Sequence, residues 1–467
     1  MKSELSDLKF RLSELNRLIF GAKSERFVTV DSHQINLFEV PAEEKSEKQT
    51  EKITYTRNKK EDKKQPLRME LPAHLPRKVE VIEPENLPEN AKKIGEAITE
   101  VLEYEPANIF VRHIVRPKYI ISSSDEKTEI VIAPLPSLPI AKGNAGASLI
   151  AHIIINKFVD HLPFYRQIQI FKRQNVNLAE STINGWFNAG CKHLELLYEA
   201  LKQKILSTDY LMADETPISV LTKDKPGSTH KGYHWVYYDP VNKLALFDYC
   251  KTRGREGPDE ILKTFAGYLQ TDGYVAYTKL ENHQNIILLA CLAHARRKFE
   301  HAINNDYDRA THALKLIQSL YAIEQKARGN ELDYDQIKEL RQKKSVPVLQ
   351  ELEQWLIQEN IKILPQSAIG KAFSYTLNLW DRLKRYTEDG RFQIDNNLIE
   401  NSIRPVALGR KNYLFAGSHD AAQQAAMMYS FLSCCKINNI EPFNWLKNTL
   451  TIIQDYPANK IIELLPK

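Results

Sequence analysis

Two aspartates are the first candidates for metal-dependent chemistry in this sequence. Asp214 follows the apolar run YLMA, and Asp272 follows the run YLQT. Both runs are β-rich, which places the carboxylates on predicted strands or at their ends. A carboxylate there is costly unless it is paired or binds a cation. Two strands of one sheet could bring the acids together, and their mutual repulsion would then require a divalent metal between them.

Glu400 offers a third carboxylate. It lies in the segment DNNLIENSIRPVALGRKN, where Asn396 could cap the helix that carries it. A helix packed on the sheet would deliver Glu400 to the same ions, and oxygen ligands select Mg²⁺ or Mn²⁺. Two ions about 4 Å apart would support an in-line attack at phosphorus. Spacing alone leaves other acids as candidates, namely Glu215 beside Asp214, and Glu388, Asp389 or Asp395 near Glu400.

Basic side chains near these acids could contact phosphate groups. Arg404, Arg410 and Lys411 follow the third acid on the same predicted helix. In the segment CLAHARRKF, His294 and Arg297 are three residues apart and share a helix face. They could orient a scissile phosphate or a water molecule. A lone histidine is more often structural than a metal ligand, so His294 is a supporting residue in this prediction.

Residues 161–190 have the pattern of two helices joined by a turn. Pro163 suits a helix start, Asn175 lies where the first helix breaks, and Ala179 or Glu180 opens the second. The predicted inward residues are Tyr165, Ile168 and Phe171 on the first helix, and Ile183, Trp186 and Phe187 on the second.

The outward residues of these two helices suit DNA. On the first helix, Arg166, Lys172 and Arg173 could contact phosphates. On the second, short polar side chains could reach base edges in a major groove; these are Ser181, Thr182 and Asn184, with Lys192 further along. The alternative is an ordinary helical hairpin, which the pattern alone slightly favours.

The elements that must position the acids have an α/β pattern. Five short β-rich runs are YLMADETPISVL, YHWVYYD, LALFDYC, YLQTDGYVAY and NIILLAC, with a helix at 259–265 between the third and fourth. Residues 303–388 have almost no strand character. Their apolar residues follow helical spacing, as in Leu314, Ile317, Leu320 and Ile323 and in Leu349, Leu352, Trp355 and Leu356. Residues 396–467 are again mostly helical.

The N-terminal part is different. Its apolar residues Leu5, Leu8, Leu12, Leu15 and Ile19 recur in steps of three and four, which predicts an amphipathic helix. That helix could form a short coiled coil and hence a dimer contact, or equally pack on its own domain. Residues 41–68 are charged and poor in large apolar residues, as in a linker. Residues 70–140 are Pro-rich, with alternating runs at 79–82 and 109–115, and predict a small β-containing module.

Length, composition and net charge limit the possible classes of protein only broadly. The 467 residues, 43% of them hydrophobic, suffice for two or three domains. A net charge of +5 is compatible with nucleic-acid binding without establishing it. Five scattered cysteines without a C-x-x-C pair fit a reducing compartment. With no signal peptide and no apolar run of about 20 residues, we expect a cytoplasmic protein without a membrane span.

Several segments together carry a family likeness. They are LIFGAKSERF at 18–27, HLPFYRQIQIFKRQNVNLAESTINGWF at 161–187, ADETP at 213–217, LQTDGYVAY at 269–277, CLAHARRKF at 291–299, IDNNLIENSIRPVALGRKNYLFAGS at 394–418 and INNIEPFNWL at 437–446. These segments occur along the chain in the same order as in transposases of the insertion sequence 66 family, which the chain resembles.

The resemblance implies an RNase H-like catalytic core of α/β class. Its Asp-Asp-Glu triad maps onto Asp214, Asp272 and Glu400, which would hold two Mg²⁺ ions, with Mn²⁺ as a substitute. Glu215 and Asp395 then become neighbours of the triad. The implied domains are an amphipathic helix at 1–22, a charged linker at 23–69, a small module at 70–142, a helix-turn-helix region at 143–205, core parts at 206–302 and 389–432, an all-α insertion at 303–388 and a helical tail at 433–467.

One stretch departs from the family pattern. Relatives usually carry a small cysteine-rich zinc motif before the helix-turn-helix, but the segment VIEPENLPENAKKIGEAITEVLEY has no cysteine. A zinc site is therefore not expected there. The module would depend on its apolar residues alone.

The predicted function is a transposase that binds the ends of a bacterial insertion sequence and cleaves and transfers DNA strands. Its expected partners are double-stranded DNA of the terminal repeats and the target, a second copy or more of the chain on DNA, and accessory proteins of the same element, in the bacterial nucleoid. Two alternatives are an RNase H-like nuclease without transposition and a non-catalytic DNA-binding regulator.

Overall fold

A computed structural model describes residues 109–112, 118–122, 128–132, 137–140, 143, 145–222, 227–282 and 285–467. The predicted N-terminal amphipathic helix, the charged linker, the run at 79–82 and the cysteine-free stretch lie outside the described residues. The chain divides into two compact units, with residues 29–135 in one and residues 136–467 in the other.

The described part of the smaller unit contains a two-stranded antiparallel sheet. Its strands are β1, Lys118–Ser122, and β2, Thr128–Ile132, with Ile120 paired to Ile130. Within the alternating run at 109–115, the described residues 109–112 have no regular secondary structure. The strands among the described residues of the predicted β-containing module are β1 and β2.

The larger unit begins with three helices. They are α1, Ala147–Phe158, α2, Phe164–Arg173, and α3, Glu180–Leu206. Asn175 has a φ of 60° in the turn between α2 and α3, a left-handed conformation that asparagine tolerates. Ile183, Trp186 and Phe187 are buried on α3 as predicted.

The predicted apolar face of α2 is wrong at one position. The side chain of Tyr165 is 58% exposed, and the buried residues of α2 are Phe164, Gln167 and Phe171. Gln167 can be buried because its amide donates to the carbonyl oxygens of Ile153 and Leu162. Gln167 is therefore buried with its amide hydrogen-bonded, whereas the apolar spacing predicted that Tyr165 would be buried.

A five-stranded sheet forms the centre of the larger unit. Its strands are β3, Tyr210–Leu221, β4, Thr229–Asp239, β5, Leu244–Cys250, β6, Gly267–Thr271, and β7, Ile286–Ala290. Their order is β5-β4-β3-β6-β7. The β3–β4 and β4–β5 pairs are antiparallel, whereas β3–β6 and β6–β7 are parallel. All five β-rich runs predicted from the sequence contain a strand.

The connections after β5 are short helices. They are α4, Glu256–Ile261, extended by a 3₁₀ turn at Leu262–Thr264, and α5, Val275–Thr278, extended by a 3₁₀ turn at Lys279–Asn282. The run YLQTDGYVAY was predicted as one strand, but the strand ends at Thr271 and residues 275–278 are helical. Asp272 consequently lies just past the end of β6.

Residues 303–388 are helical in the structure, as predicted. After α6, Leu292–Ala302, the helices are α7, Tyr307–Gly329, α8, Tyr334–Leu340, a π-helical turn at Arg341–Ser345, α9, Val346–Asn360, α10, Ala368–Asn378, and α11, Trp380–Lys384, followed by a 3₁₀ turn at Arg385–Thr387.

A buried arginine ties this helical block to the chain that leaves it. Arg341 forms an ion pair with Glu324 at 2.7 Å. Its guanidinium also donates to the carbonyl oxygens of Tyr386, Asp389 and Phe392. Both charged side chains are almost fully buried, and the fork of donors satisfies them. This contact fixes the segment that leads back to the sheet.

Three helices complete the unit. They are α12, Asn397–Tyr413, α13, His419–Ile437, and α14, Pro442–Ile452, with a 3₁₀ helix at Ala458–Leu464. The predicted domain boundary between residues 432 and 433 falls inside α13. None of the helices in the described ranges is long and apolar enough to cross a membrane. All five cysteines are free thiols.

Helix α13 covers the edge strand β5. Its side chains accept hydrogen bonds from β5 backbone N–H groups: Gln423 from Tyr249 at 3.1 Å, Ser430 from Phe247 at 2.8 Å and Cys434 from Ala245 at 3.2 Å. An edge strand normally leaves such donors open to another chain. Here side chains of α13 accept hydrogen bonds from alternate backbone N–H groups along β5.

Candidate active site

The two predicted aspartates lie near each other on adjacent parallel strands. Tyr210 of β3 pairs with Tyr268 of β6 in parallel register, and Met212 pairs with Gln270, which is the last pair between these strands. Asp214 follows inside β3, and Asp272 lies just past the end of β6. The negative charge of Asp272 acts on the Asp214 carboxyl and raises its pKa, so the two carboxylates are close enough to interact.

Asp214 is under electrostatic stress. Its carboxyl pKa is raised well above the ordinary value, first by burial and then by the negative charges of Glu215 and Asp272, with a smaller contribution from Glu400. One hydrogen bond opposes the shift, because the backbone N–H of Glu215 donates to Asp214 Oδ1 at 2.8 Å. Each charge that raises this pKa is another acid, so the group of acids favours a cation.

The turn after β6 holds Asp272 in place. The backbone N–H of Tyr274 donates to Asp272 Oδ1 at 2.7 Å, and the Tyr375 hydroxyl of α10 donates to the Asp272 carbonyl oxygen at 2.7 Å. Gly273, between Asp272 and Tyr274, has a φ of 86°. A Cβ at this position would lie 2.8 Å from Leu379 Cδ1. The backbone conformation therefore favours glycine, and a larger residue would also have to shift the end of the Leu379 side chain.

Glu400 lies in the first turn of α12, and its charge acts on Asp214. The predicted capping by Asn396 is wrong, because the Asn396 side chain makes no capping hydrogen bond. Asp395 accepts instead, from the Asn397 backbone N–H at 3.1 Å and from Asn397 Nδ2 at 2.9 Å. Asn396 is fully buried, so burial in the core displaces it from the cap that its residue type favours.

A chain of buried hydrogen bonds joins the start of α12 to both aspartate strands. The Tyr210 hydroxyl donates to Gln270 Oε1 at 2.6 Å and accepts from the Gln393 N–H at 2.9 Å. Gln270 Nε2 donates to the Asp395 carbonyl oxygen at 3.0 Å. The residues before α12 are thereby tied to β3 and β6.

Sequence reasoning missed these positioning residues. Tyr210 and Gln270 occur in runs that were recognised only as strands, and Tyr375 occurs in a block that was recognised only as helical. A polar Gln270 inside an apolar strand was the one available signal, since a buried amide needs hydrogen-bond partners.

Glu215 is close to the triad but has its own partner. It forms an ion pair with Arg253 at 2.6 Å, and Tyr277 donates to its other oxygen at 3.4 Å. Burial still raises its pKa, against the opposing effect of Arg253. The Arg253 guanidinium also lies over the Tyr274 ring, 4.0 Å from the ring centroid. Glu215 is therefore paired to an arginine at the edge of the site.

His294 lies near Asp272, in the first turns of α6. Burial and Arg297 lower the His294 pKa, while Asp272 raises it. The Cys291 thiol at the start of α6 accepts from the Asn396 backbone N–H at 3.2 Å. The start of α6 thus packs against the start of α12, and Arg297 is exposed beside it.

The residues predicted to contact DNA are distributed over α2, α3 and α12. Exposed positions are Arg166 and Arg173 on α2, Ser181 on α3 and Arg404 and Lys411 on α12, while Thr182, Asn184 and Arg410 are half-buried. Asn184 Nδ2 donates to the Glu180 carbonyl oxygen of its own helix at 2.8 Å. The Arg410 guanidinium donates to the Pro217 carbonyl oxygen of β3.

The described residues contain no ready-made metal site. Among the described residues, no group of three histidine, cysteine, aspartate or glutamate side chains is arranged to hold one metal ion. Mg²⁺ is commonly held by one or two carboxylates, with water and substrate phosphate as the remaining ligands. Asp214, Asp272 and Glu400 offer that kind of donor set, and not a closed metal site made by the protein alone.

Comparison with known sequences covers nearly the whole chain. Residues 142–424 match the family described as Transposase IS66 family, residues 430–466 match the IS66 C-terminal element, and residues 7–79 match the family described as Transposase C of IS166 homeodomain. No solved structure matches the chain significantly.

Three similar proteins come from Sinorhizobium fredii (strain NBRC 101917 / NGR234). The uncharacterized protein y4jD is 30% identical over 98% of this chain and 94% of its own length. The uncharacterized protein y4qI is 33% identical over 84% of this chain and 76% of its own length. The uncharacterized protein y4hP is 29% identical over 98% of this chain and 88% of its own length.

Proposed function

Because this chain belongs to the IS66 family of transposases, we propose that it cleaves and joins DNA strands through Asp214, Asp272 and Glu400. The observation that supports the proposal is the electrostatic interaction of Asp214 with Asp272 and Glu400, on the adjacent parallel strands β3 and β6 and on α12. The start of α12 is tied to the same two strands through Tyr210 and Gln270.

We also propose that the sheet belongs to an RNase H-like core. Its first three strands in the chain are antiparallel neighbours, and the next two run parallel to the first of them. The all-α block at 303–388 then enters this core between α6 and the helix that bears Glu400. The sheet order and the place of the insertion support this assignment.

The proposed metal is Mg²⁺, because carboxylate oxygens are ligands that it prefers. Two Mg²⁺ ions, with Mn²⁺ as a substitute, would be held by Asp214, Asp272 and Glu400 and would supply charge neutralisation for the attacking and leaving oxygens. The chain itself fixes where the acids lie. Tyr274 and Tyr375 hold the Asp272 turn, and Arg253 forms an ion pair with Glu215 beside Asp214.

The remaining part of the proposal concerns DNA. Arg166, Arg173 and Ser181 are exposed and available to terminal-repeat DNA, with Thr182 and Asn184 at the start of α3. Arg297, Arg404, Arg410 and Lys411 lie on the helices that also carry His294 and Glu400, where they would bind DNA phosphates. We propose further that two or more copies assemble on DNA, with accessory proteins of the same element, in the bacterial nucleoid.

The test is cleavage and strand transfer with the element's own end DNA, with and without Mg²⁺. Asp272→Asn keeps the size of the side chain, and we expect it to reduce cleavage by about 10³-fold or more, the scale of losing several kcal/mol of transition-state stabilisation. Binding of end DNA should be retained. Asp335→Asn, at an exposed position of α8, is the matched control and should cleave normally.

Three results would contradict the proposal in different ways. Cleavage by Asp272→Asn at the unaltered rate would exclude this aspartate from the site. Cleavage of end DNA without joining would identify a nuclease. DNA binding without cleavage by the unaltered chain, and without any effect of the triad substitutions, would identify a regulator.

A further inference from the structure

A cavity of about 90 Å³ lies between the helix-turn-helix region and the helices that cover the sheet. Its walls come from α1 to α3 on one side and from α12, residues 415–417 and α13 on the other. About 10–15 Å³ on this measure holds one water molecule, so the space suffices for a small ligand group. It does not contain the triad.

The lining combines aromatic rings with two cations. Phe164 and Phe187 line one wall, Tyr429 lines another, and Lys157 and Arg410 supply the charges. The exposed Phe415 and Gly417 lie at its margin.

Lys157 has no acidic partner in the described part of the chain. Its ammonium lies over three phenylalanine rings, 3.8 Å from the centroid of Phe164, 5.2 Å from Phe187 and 5.6 Å from Phe158. Burial lowers its pKa to about 8. The neighbouring Cys191 is no counterion, because burial raises the pKa of its thiol and keeps it neutral.

Arg410 likewise has no acidic partner among the described residues. Its guanidinium donates to the Pro217 carbonyl oxygen, a neutral acceptor, and burial lowers its pKa. The nearby His234 is fully buried and its pKa is lowered to about 4, so it adds no charge at neutral pH. Two partly desolvated cations therefore line one cavity without an acid among the described residues, and an anion bound there would lower the free-energy cost of their burial.

We propose that this cavity binds the phosphate group of a nucleotide, with the sugar and base against the aromatic margin at Phe415. A guanidinium and an ammonium together match a phosphate, and aromatic rings favour bases. Arg410 lies on α12, the helix that bears Glu400, and Lys157 lies on α1. A phosphate bound here would connect the helix-turn-helix region to the catalytic helix. The inference rests on the proposed function only in naming a DNA strand as a source of that phosphate.

The primary test labels lysine amines of the unaltered full-length chain by reductive methylation and measures each site by mass spectrometry. The probes are inorganic phosphate, a deoxynucleoside monophosphate, a single-stranded oligonucleotide and a duplex. We expect at least one nucleotide probe to slow labelling of Lys157 by about tenfold or more, which corresponds to about 1.4 kcal/mol. Lys447, exposed on α14 and outside the cavity, should be labelled equally in all samples.

The probes distinguish the sources of the phosphate. Protection by oligonucleotides alone supports a DNA strand as the ligand, and protection by the monophosphate supports a free nucleotide. Protection by inorganic phosphate alone, or by no probe, would overturn the proposal of a nucleotide site.

Substitutions give a second measurement. Lys157→Met retains the aliphatic stem and removes the charge, and we expect it to weaken binding of the protecting probe about tenfold, whereas Lys447→Met should bind as the unaltered chain does. Asp272→Asn should preserve the protection of Lys157. Cleavage of end DNA without protection would reject this inference alone, and protection without cleavage would reject the proposed function alone.

Discussion

Asp214, a proposed catalytic carboxylate, illustrates the electrostatic cost of placing acids close together. It is half-buried near three other acids, and each of them raises its pKa. A group whose pKa is higher in the folded chain than in the unfolded one is most favourable to folding when protonated. For Asp214 the folded chain therefore loses stability as the pH rises above 3.8, the ordinary value of this group.

This leads to a prediction for Asp214→Asn. Without Mg²⁺ at neutral pH, the substitution should increase the free energy of unfolding by about 0.5–2 kcal/mol, the usual range for single stabilising changes, because the amide carries no charge. The gain should disappear in acid below the ordinary carboxyl range, where Asp214 is neutral as well. Urea unfolding at several pH values measures it.

Mg²⁺ supplies the control in the same experiment. The ion should stabilise the unaltered chain more than Asp214→Asn, since a ligand that binds only the folded state adds to its stability. Glu351→Gln, at an exposed site of α9, should show neither effect. A loss of stability in Asp214→Asn at neutral pH would mean that the carboxylate is favourably paired, contrary to its raised pKa.

At single residues the sequence singled out the three acids without predicting the residues that surround them. Asp214 and Asp272 stood out because a carboxylate after an apolar strand is unusual. Glu400 needed the family resemblance, since nothing local separated it from Asp395. The predictions that Asn396 caps a helix and that Tyr165 is buried were wrong for the same reason. Both relied on local sequence preferences, and packing against distant parts of the chain overrode those preferences.

Among the elements, the helical block has a direct connection to the site. Its helix α10 contributes Tyr375, whose hydroxyl donates to the Asp272 carbonyl oxygen. Leu379, just after α10, limits the space beside Gly273. The block therefore supports the turn that aims Asp272, in addition to packing on α6.

Tyr375→Phe tests this connection by removing one oxygen. The missing hydrogen bond should cost about 1 kcal/mol of stability, and the less restrained Asp272 should require a higher Mg²⁺ concentration for half-maximal cleavage. Titration of cleavage with Mg²⁺ separates this effect from a general loss of fold. Tyr307→Phe, in the same block but exposed, is the control. An unchanged Mg²⁺ requirement in Tyr375→Phe would show that the hydrogen bond does not position the turn.

The elements themselves were largely predictable from the sequence. Each of the five β-rich runs contains a strand, and the block at 303–388 is helical, because alternation and helical spacing report burial directly. Strand order was not predictable, since it depends on contacts between residues far apart in the chain. The π-helical turn at Arg341 also had no local signal, because its guanidinium is held by carbonyl groups about fifty residues further along.

At the scale of the whole molecule, the proposed DNA contacts come from separate regions of the chain. Arg166 and Arg173 lie on α2, whereas Arg404 and Lys411 lie on α12. If each contacts a phosphate, binding depends on counterion release from all of them together. Affinity should then fall steeply as salt concentration rises.

A double substitution measures how much α2 contributes to the salt dependence of DNA binding. Arg166→Ala with Arg173→Ala should reduce the slope of log affinity against log salt by about 1.8 in magnitude, or about 0.9 for each phosphate that is no longer neutralised. Filter binding or fluorescence anisotropy with end DNA at several salt concentrations gives the slope. Lys447→Ala with Lys460→Ala, both exposed, removes the same charge and should leave the slope unchanged. An unchanged slope in the α2 variant would place its arginines away from the DNA.

The cover that α13 provides for β5 has a consequence for damaged gene copies. Gln423, Ser430 and Cys434 occupy N–H groups along the outer strand, and all three come from the last part of the chain. A reading frame interrupted before residue 419 would encode the sheet and both aspartates, but the strand would be left open to pairing with other chains. We expect such fragments to aggregate, because the backbone N–H groups of β5 would be open to pairing with other chains.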